Sequence, residues 1–308
     1  MPSQSESALI NEAILEQLTT PGMQKQAIDA INDYTRTTMR EDGFYRRIIP
    51  PLPVTNGDLH RQVDTPKPCI IVDKEPGSPA AVSIPFATQP IEVYIRGKRY
   101  RVTFSRITTP RFTVDVDELR TWVMDIRQVM SDNALKDLLA VEDGQFMTAV
   151  EAVLVGADQV VPYSGVAQWE TIAGGITRDT WEDSLKIMER TDSHLAPRTA
   201  LMNNITIHEF KKWGRDEMGG DFSQDVVKNG WTEVRFGDLD LVITIKRNLV
   251  PDNRIYYFAD PKFIGKNYVL EDTIMNVKAE AFMIEFFAYE TVGGSIGHSG
   301  GLAAATFE

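Results

Sequence analysis

The chain has 308 residues, 43% of them hydrophobic and 25% charged, and a formal net charge of -12. That length supplies a sizeable core or two smaller ones, and the acidity argues against a surface built to grip a phosphate backbone, which needs clustered Lys and Arg. No run reaches the roughly 18 to 20 apolar residues of a membrane span, Met1 to Ile10 lacks the basic start and apolar run of a signal peptide, and the single Cys69 leaves no partner for an internal disulfide; the expected compartment is a cytoplasm.

Residues 1 to 48 read as a helical, polar arm. Leu9, Ile10, Ala13, Ile14 and Leu18 recur at helical spacing, and Thr20-Pro21 supplies an N-cap and a pre-set first residue for a second segment carrying Ala27, Ile28 and Ile31. The basic cluster Arg36, Arg40, Arg46 and Arg47 fits either a solvated face or a docking role, and Pro50-Pro51 forbids further helix.

From Leu52 to Pro90 the chain is rich in Pro, Gly and Asp, with short apolar pieces such as Cys69-Ile70-Ile71-Val72, the pattern of extended connections and short strands. Ile91, Val93 and Ile95 then alternate with polar residues, and after Gly97 the alternation resumes at Tyr100, Val102 and Phe104. This spacing predicts a hairpin with its tip near Gly97. Arg96, Lys98, Arg99 and Arg101 surround that glycine, so the tip is either an ordinary solvated turn or a contact for an acidic partner. A two-stranded ribbon is not stable alone in water and must pack on something.

Asp115 and Glu118 resemble a capping box, followed by a helical stripe of Leu119, Trp122, Val123, Ile126, Val129 and Met130. Leu135, Leu138, Leu139, Phe146, Val150 and Val153 extend the stripe toward a stop at Gly156. Continuous helix from Val116 to Val155 would span about 60 Å at about 1.5 Å per residue, with Asn133 and Gly144 as weak points for a bend. Glu142 falls on the apolar stripe; a half-exposed position at a bend or a partner on an adjacent chain would each account for a charge there.

Further along, a short strand is expected around Val160 and Val161. Thr180 is the expected cap of a helix carrying Trp181, Leu185 and Met188, and Leu201-Met202 reads as a core strand before a Thr206/Glu209 capping pair. Leu239 to Ile245 reads as a central strand, Ile255 to Phe258 as another, and Ile274 to Tyr289 as one long strand before a Gly- and Ala-rich tail.

Motifs for chemistry do not assemble. His60, His194, His208 and His298 are scattered without metal-ligand spacing. Gly293-Gly294-Ser295-Ile296-Gly297 has no Gly-Lys-Ser ending, and Ser164 lacks the Gly-x-Ser-x-Gly frame. Glu142 and Asp143 are neighbours on a helix, so their side chains point about 100° apart and cannot face one ligand as a catalytic pair. The sequence therefore nominates no catalytic, cofactor-binding or metal-ligating residue.

The order of parts, arm, hairpin, long helix, mixed body and closing strand, resembles the Hong Kong 97-type shell fold of tailed-bacteriophage major capsid proteins. The resemblance rests on the order and spacing of Leu139-Ala140-Val141-Glu142-Asp143-Gly144-Gln145-Phe146 before Gly156, of Ala200-Leu201-Met202-Asn203-Asn204 before a helix, and of Tyr257-Phe258-Ala259-Asp260-Pro261 before a long strand. It implies an α+β chain: arm and extended connection over 1–87, hairpin loop over 88–112, and a peripheral domain with the spine helix over 113–194. An axial domain over 195–266 and a return strand with tail over 267–308 complete it.

The resemblance further implies a non-enzymatic subunit of pentamers and hexamers, closing into an icosahedral shell around double-stranded DNA without sequence-specific contacts. The implied place is the virion capsid, assembled in the host bacterial cytoplasm. Each hairpin would reach over a neighbouring copy, so that Arg96, Lys98, Arg99 and Arg101 meet carboxylates such as Glu142 and Asp143 of an adjacent chain. A separate scaffolding protein is implied, because only about ninety residues precede the hairpin where some family members carry a cleaved scaffold of around a hundred. A portal and a decoration protein are further implied partners. Some members crosslink a hairpin lysine to an asparagine; Lys98 would be that lysine, but no matching asparagine is identifiable. Two rivals remain open: an encapsulin-type shell for protein cargo, and a soluble cytoplasmic α/β enzyme using pocket carboxylates and His208.

Overall fold

The computed structural model describes residues 43–74, 83–86, 88–90, 92, 97–120, 126–159, 168–191, 193–210, 212–213, 234–236, 238–280 and 282–308, together with Ala13 and Glu16. Most of the expected arm, the stretch around Val160 and Val161, and Arg96 lie outside the described residues.

In chain order the elements are α1 (Phe44–Ile48), β1 (Pro51–Pro53), β2 (Cys69–Lys74), β3 (Lys98–Thr103), β4 (Ser105–Thr108), β5 (Phe112–Asp115), α2 (Val116–Arg120), α3 (Ile126–Gln159) and β6 (Trp169–Ile172). They continue as α4 (Arg178–Glu189), β7 (Thr199–Asn203), α5 (Thr206–Phe210), β8 (Val234–Phe236), β9 (Leu239–Thr244), β10 (Arg254–Phe258), α6 (Pro261–Ile264), β11 (Gly265–Glu280), β12 (Met283–Ile296) and β13 (Leu302–Phe307). Among the described residues the result is an α+β arrangement of two sheets and a separate two-stranded ribbon.

The first sheet has the order β1-β11-β12-β4, with β5 also paired to β12. Its frame is the antiparallel pair β11 and β12, 16 and 14 residues long, which extends roughly 50 Å at about 3.3 Å per residue. The single strand expected over Ile274 to Tyr289 is thus the closing end of a long hairpin, with Glu280 opposite Met283. No Gly, Pro or Asn marks that turn, and so the apolar alternation reads straight through it. The second sheet has the order β6-β13-β10-β7-β9-β8 and takes β6 and β13 from either side of the 195–266 span.

The Ala-rich segment after Gly301 is a buried strand, not a tail. Ala303, Ala304 and Ala305 lie opposite Tyr257, Tyr256 and Ile255, and all six are buried. Small side chains on β13 leave room for the large ones on β10, its neighbour in the sheet. The weak strand propensity of alanine conceals this from a sequence reading.

Caps fix the local starts. Asp115 Oδ1 accepts from the Asp117 N–H at 2.8 Å, ahead of α2. The cap of α4 is Thr177, three residues before the expected Thr180, which instead completes a reciprocal box at the third helical position. Asn203, not Thr206, caps α5: its Oδ1 accepts from the N–H groups of Ile205 and Thr206 at 3.0 and 2.7 Å.

The 34-residue helix α3 is about 50 Å long and runs through Asn133 and Gly144 without interruption, past the expected stop at Gly156 to Gln159. Its first half packs Ala134, Leu135, Leu138 and Leu139 against the first sheet. Its second half packs Phe146, Met147, Val150 and Leu154 into the core of the second. The stripe keeps its helical period across both, and the two positions where it passes from one core to the other are Glu142 and Asp143.

Candidate functional site

Two features stand apart from ordinary core packing: the ribbon and a buried ionic centre at the crossing point of α3.

The ribbon pairs β2 with β3 antiparallel, from Cys69 opposite Thr103 to Lys74 opposite Lys98. The partner of β3 among the described residues is therefore Cys69 to Lys74, and residues 75–97 connect the two strands. The strand expected at Ile91 to Ile95 falls almost wholly outside the described residues. At the root, Cys69, Ile70, Val102 and Phe104 are buried, and the Cys69 thiol donates to the His60 carbonyl at 3.2 Å. Toward the far end the side chains of Arg99 and Asp73 are 72% and 79% exposed and pair at 2.8 Å. Arg101 reaches Asp64 at 2.5 Å and Gln62 at 3.0 Å.

The ionic centre lies where α1, α3 and β12 meet. Arg46, expected on a solvated or docking face, is only 6% exposed. Its Nε donates to Oε2 and Oε1 of Glu142 at 2.9 and 3.2 Å, and its Nη2 donates to Glu290 Oε2 at 2.8 Å. Asp272 on β11 approaches Nη1 at 3.9 Å. Thr273 Oγ1 also donates to Glu290 Oε2, at 3.2 Å.

Next to it, Asp143 serves a different partner. Its Oδ2 accepts from Lys246 Nζ at 2.6 Å, and its Oδ1 from the Tyr45 N–H at 3.0 Å. Lys246 also donates to the Leu139 carbonyl at 3.1 Å and lies 5.8 Å from the centre of the Phe44 ring. The Tyr45 ring stacks on Phe146 with centroids 4.5 Å apart, and its hydroxyl fits only because residue 294 is glycine: a Cβ there would collide with it. Every residue from Phe44 to Arg46 is thus tied to the body of the protein.

These contacts replace the half-exposed position expected for Glu142 with a buried one, and give both carboxylates partners within the chain. Glu142 and Asp143 are 2% and 0% exposed and held by Arg46 and Lys246 of the same chain. The sequence did flag Glu142 as anomalous on an apolar stripe. Its partner Arg46 is 96 residues away, which no local pattern reveals. Of the ribbon cations, Arg99 and Arg101 lie on β3 with partners of their own, Lys98 begins that strand, and Arg96 lies outside the described residues.

Burial drives the titration of this centre. It pushes Glu142 up to about 7, with Arg46 opposing and Glu290 reinforcing the rise. Burial likewise raises Glu290 and Asp143, against the pull of Arg46 on the first and Lys246 on the second. A cavity of about 230 Å³ borders Glu142, lined also by Tyr45, Lys67, Gln145, Phe146 and Ser295. No histidine lines it, and His208 is exposed on α5.

No family model matches the sequence, and no curated protein matches it. Solved structures do. The chain is similar to that of Microbacterium phage Oxtober96, with a TM-score of 0.59 and 11% identity over 87% of this chain and 91% of that one. It is similar to the bacteriophage PhiM1 mature capsid, with a TM-score of 0.57 and 10% identity over 86% and 87%. It is also similar to the virus-like particle from Pyrococcus furiosus, with a TM-score of 0.51 and 10% identity over 90% and 98%. The likeness spans nearly whole chains, and the fold is the Hong Kong 97-type shell fold expected from the order of parts.

Proposed function

From this fold we propose that the chain is a major capsid protein of a tailed bacteriophage, a structural subunit without enzymatic activity that assembles into pentamers and hexamers of an icosahedral shell around double-stranded DNA. The observation that carries the reading is the ribbon. Its root is buried, but its far end, with Arg99 and Asp73 largely exposed, has no core of its own, and an isolated two-stranded ribbon is unstable in water. A shell supplies the missing support, because a neighbouring copy lies beneath each ribbon.

On this reading the segments are an arm over 1–87, a loop over 88–112, peripheral parts over 113–194 and 267–308, and an axial part over 195–266. Arg96, Lys98, Arg99 and Arg101 exchange solvent or weak pairs within the chain for carboxylates of the next copy. Exposed ion pairs contribute only about 0 to 1 kcal/mol each, so Arg99 and Arg101 give up Asp73 and Asp64 at little cost. The net charge of -12 keeps packaged DNA from adhering to the wall. A separate scaffolding protein, a portal and a decoration protein complete the set of partners, and assembly takes place in the host bacterial cytoplasm.

Negative-stain electron microscopy of the purified protein, alone and with co-expressed partners, tests the reading. Closed shells or capsomere rings are the expected result; a small homogeneous oligomer under every assembly condition overturns it. The end-to-end likeness to the virus-like particle favours a second reading, a shell for protein cargo, and particles that hold a packaged enzyme and never associate with portal and tail would select it.

A further inference from the structure

We propose that Arg46, Glu142 and Glu290 form a one-proton clasp that fastens α1 to the body of the subunit at neutral pH and loosens when that proton is lost above neutrality. The clasp lies within one chain and is independent of how copies assemble.

Charge counting carries the inference. The guanidinium contributes one positive charge and touches two carboxylates, Glu142 and Glu290, that are 2% and 0% exposed. With both ionised, the centre holds an uncompensated negative charge away from water, which is the costly arrangement for buried ions. One proton shared between them makes it neutral. Glu290 shows why the proton is retained: Oε2 takes both hydrogen bonds, from Arg46 and Thr273, whereas Oε1 is buried with no hydrogen-bond partner among the described residues. An ionised Glu290 would leave charge on a buried oxygen that no described protein group hydrogen-bonds.

Among the described residues, no cation other than Arg46 pairs with either carboxylate. Asp272, from β11, is a third carboxylate near the guanidinium, with its side chain 35% exposed. On β11 and β4, Glu271 and Arg106 pair with each other. Lys246, from the segment after β9, is taken by Asp143, and the Tyr45 hydroxyl is held neutral by burial, which raises its pKa. Lys67 lines the cavity that borders Glu142. That cavity has room for several water molecules and gives the centre a route for proton exchange. Burial raises both carboxylates, Glu142 to about 7, in keeping with a proton held near neutrality.

What the proton controls follows from position. Arg46 is the middle residue of α1, which residues 1–42 lead into. Removing the proton puts net negative charge between α1, α3 and β12 and favours their separation, so the entry of the amino-terminal segment becomes less firmly docked as pH rises.

Hydrogen exchange with mass spectrometry on the full chain tests this, following peptides that cover Gly43 to Pro50 between about pH 6 and about pH 8.5, corrected for intrinsic exchange and referenced to β10 and β13. Expected is a loss of protection at α1 approaching tenfold per pH unit above about 7, with unchanged protection in the two reference strands. In Glu290→Gln, which cannot lose the proton, the profile flattens. A flat wild-type profile, or the wild-type slope retained in both Glu290→Gln and Glu142→Gln, overturns the proposal. Should the variants not fold, infrared difference spectra of the wild type decide: a buried protonated carboxyl band must be present at about pH 6 and gone by about pH 8.5, and its absence throughout refutes the clasp.

Discussion

Glu142 and Asp143 are consecutive on α3, yet they grip different cations: Glu142 takes Arg46 at 2.9 Å and Asp143 takes Lys246 at 2.6 Å. The roughly 100° between neighbouring side chains on a helix lets two adjacent carboxylates address two directions, one toward α1 and β12, the other toward the segment after β9. Together they pin α1 at the place where the long helix passes from one core to the next.

Arg46→Met leaves two buried carboxylates without a cation. The expected loss is about 3 to 5 kcal/mol of unfolding free energy, measured by chemical denaturation. Adding Glu142→Leu and Glu290→Leu to the same chain should recover most of it, since a whole buried ionic set can be replaced by apolar side chains at little cost. A triple variant no more stable than the single one would show that the carboxylates have another task in folding.

Global stability should decline as the pH rises from about 5 to about 8. Glu142 has an ordinary value of 4.5 and is pushed up to about 7 in the fold, so between those values the folded chain binds a proton that the unfolded chain has released. Stability from such a group is complete below the unfolded value and is lost as pH rises through the folded one. Melting temperatures across that range, with Glu142→Gln as the reference, check the sign; a wild-type curve rising over the same interval would contradict it.

Gly294→Ala places a methyl against the Tyr45 hydroxyl and should displace the ring from Phe146. An overpacking cost of about 1 to 3 kcal/mol is expected. Combining it with Tyr45→Phe, which removes the obstructing oxygen, should reduce that cost in a double-mutant cycle.

Charge reversal at Arg96, Lys98, Arg99 and Arg101 should leave the subunit folded, as judged by circular dichroism and melting. Assembly should weaken, seen as a smaller fraction of shells by sedimentation and microscopy. Normal yield and normal shell stability would remove the ribbon cations from the interface.

Ala304→Leu should cost about 1 to 3 kcal/mol, because Ala304 faces Tyr256 on one side and Trp169 on the other. Deleting residues 302–308 should be far worse, since β13 joins β6 to β10; thermal unfolding of both variants provides the comparison.

Much of the fold is legible in the sequence because its signals are local and periodic. The α3 stripe, the strand at Leu201-Met202, the strand at Leu239 and the run at Ile255 to Phe258 all follow from spacing. What is not legible depends on distant partners. The alternation at Tyr100 and Val102 shows a strand, but the choice of Cys69 to Lys74 as its mate is made by packing at the ribbon root. Arg46 looks like one member of a basic cluster until Glu142 and Glu290, 96 and 244 residues away, close around it. The alanines of β13 are inconspicuous because their value is the space they leave for Tyr256 and Tyr257.

The sharing of α3 between two cores has a mechanical consequence. A helix is stiff along its axis, and this one, about 50 Å long, is anchored by interlocked side chains on either side of its middle and by ion pairs at the middle itself, so it forms a continuous load path between the two cores. Force applied at the long β11–β12 pair is delivered to the six-stranded sheet instead of being dissipated at a joint between them. A container loaded from within would gain stiffness from walls made of such struts.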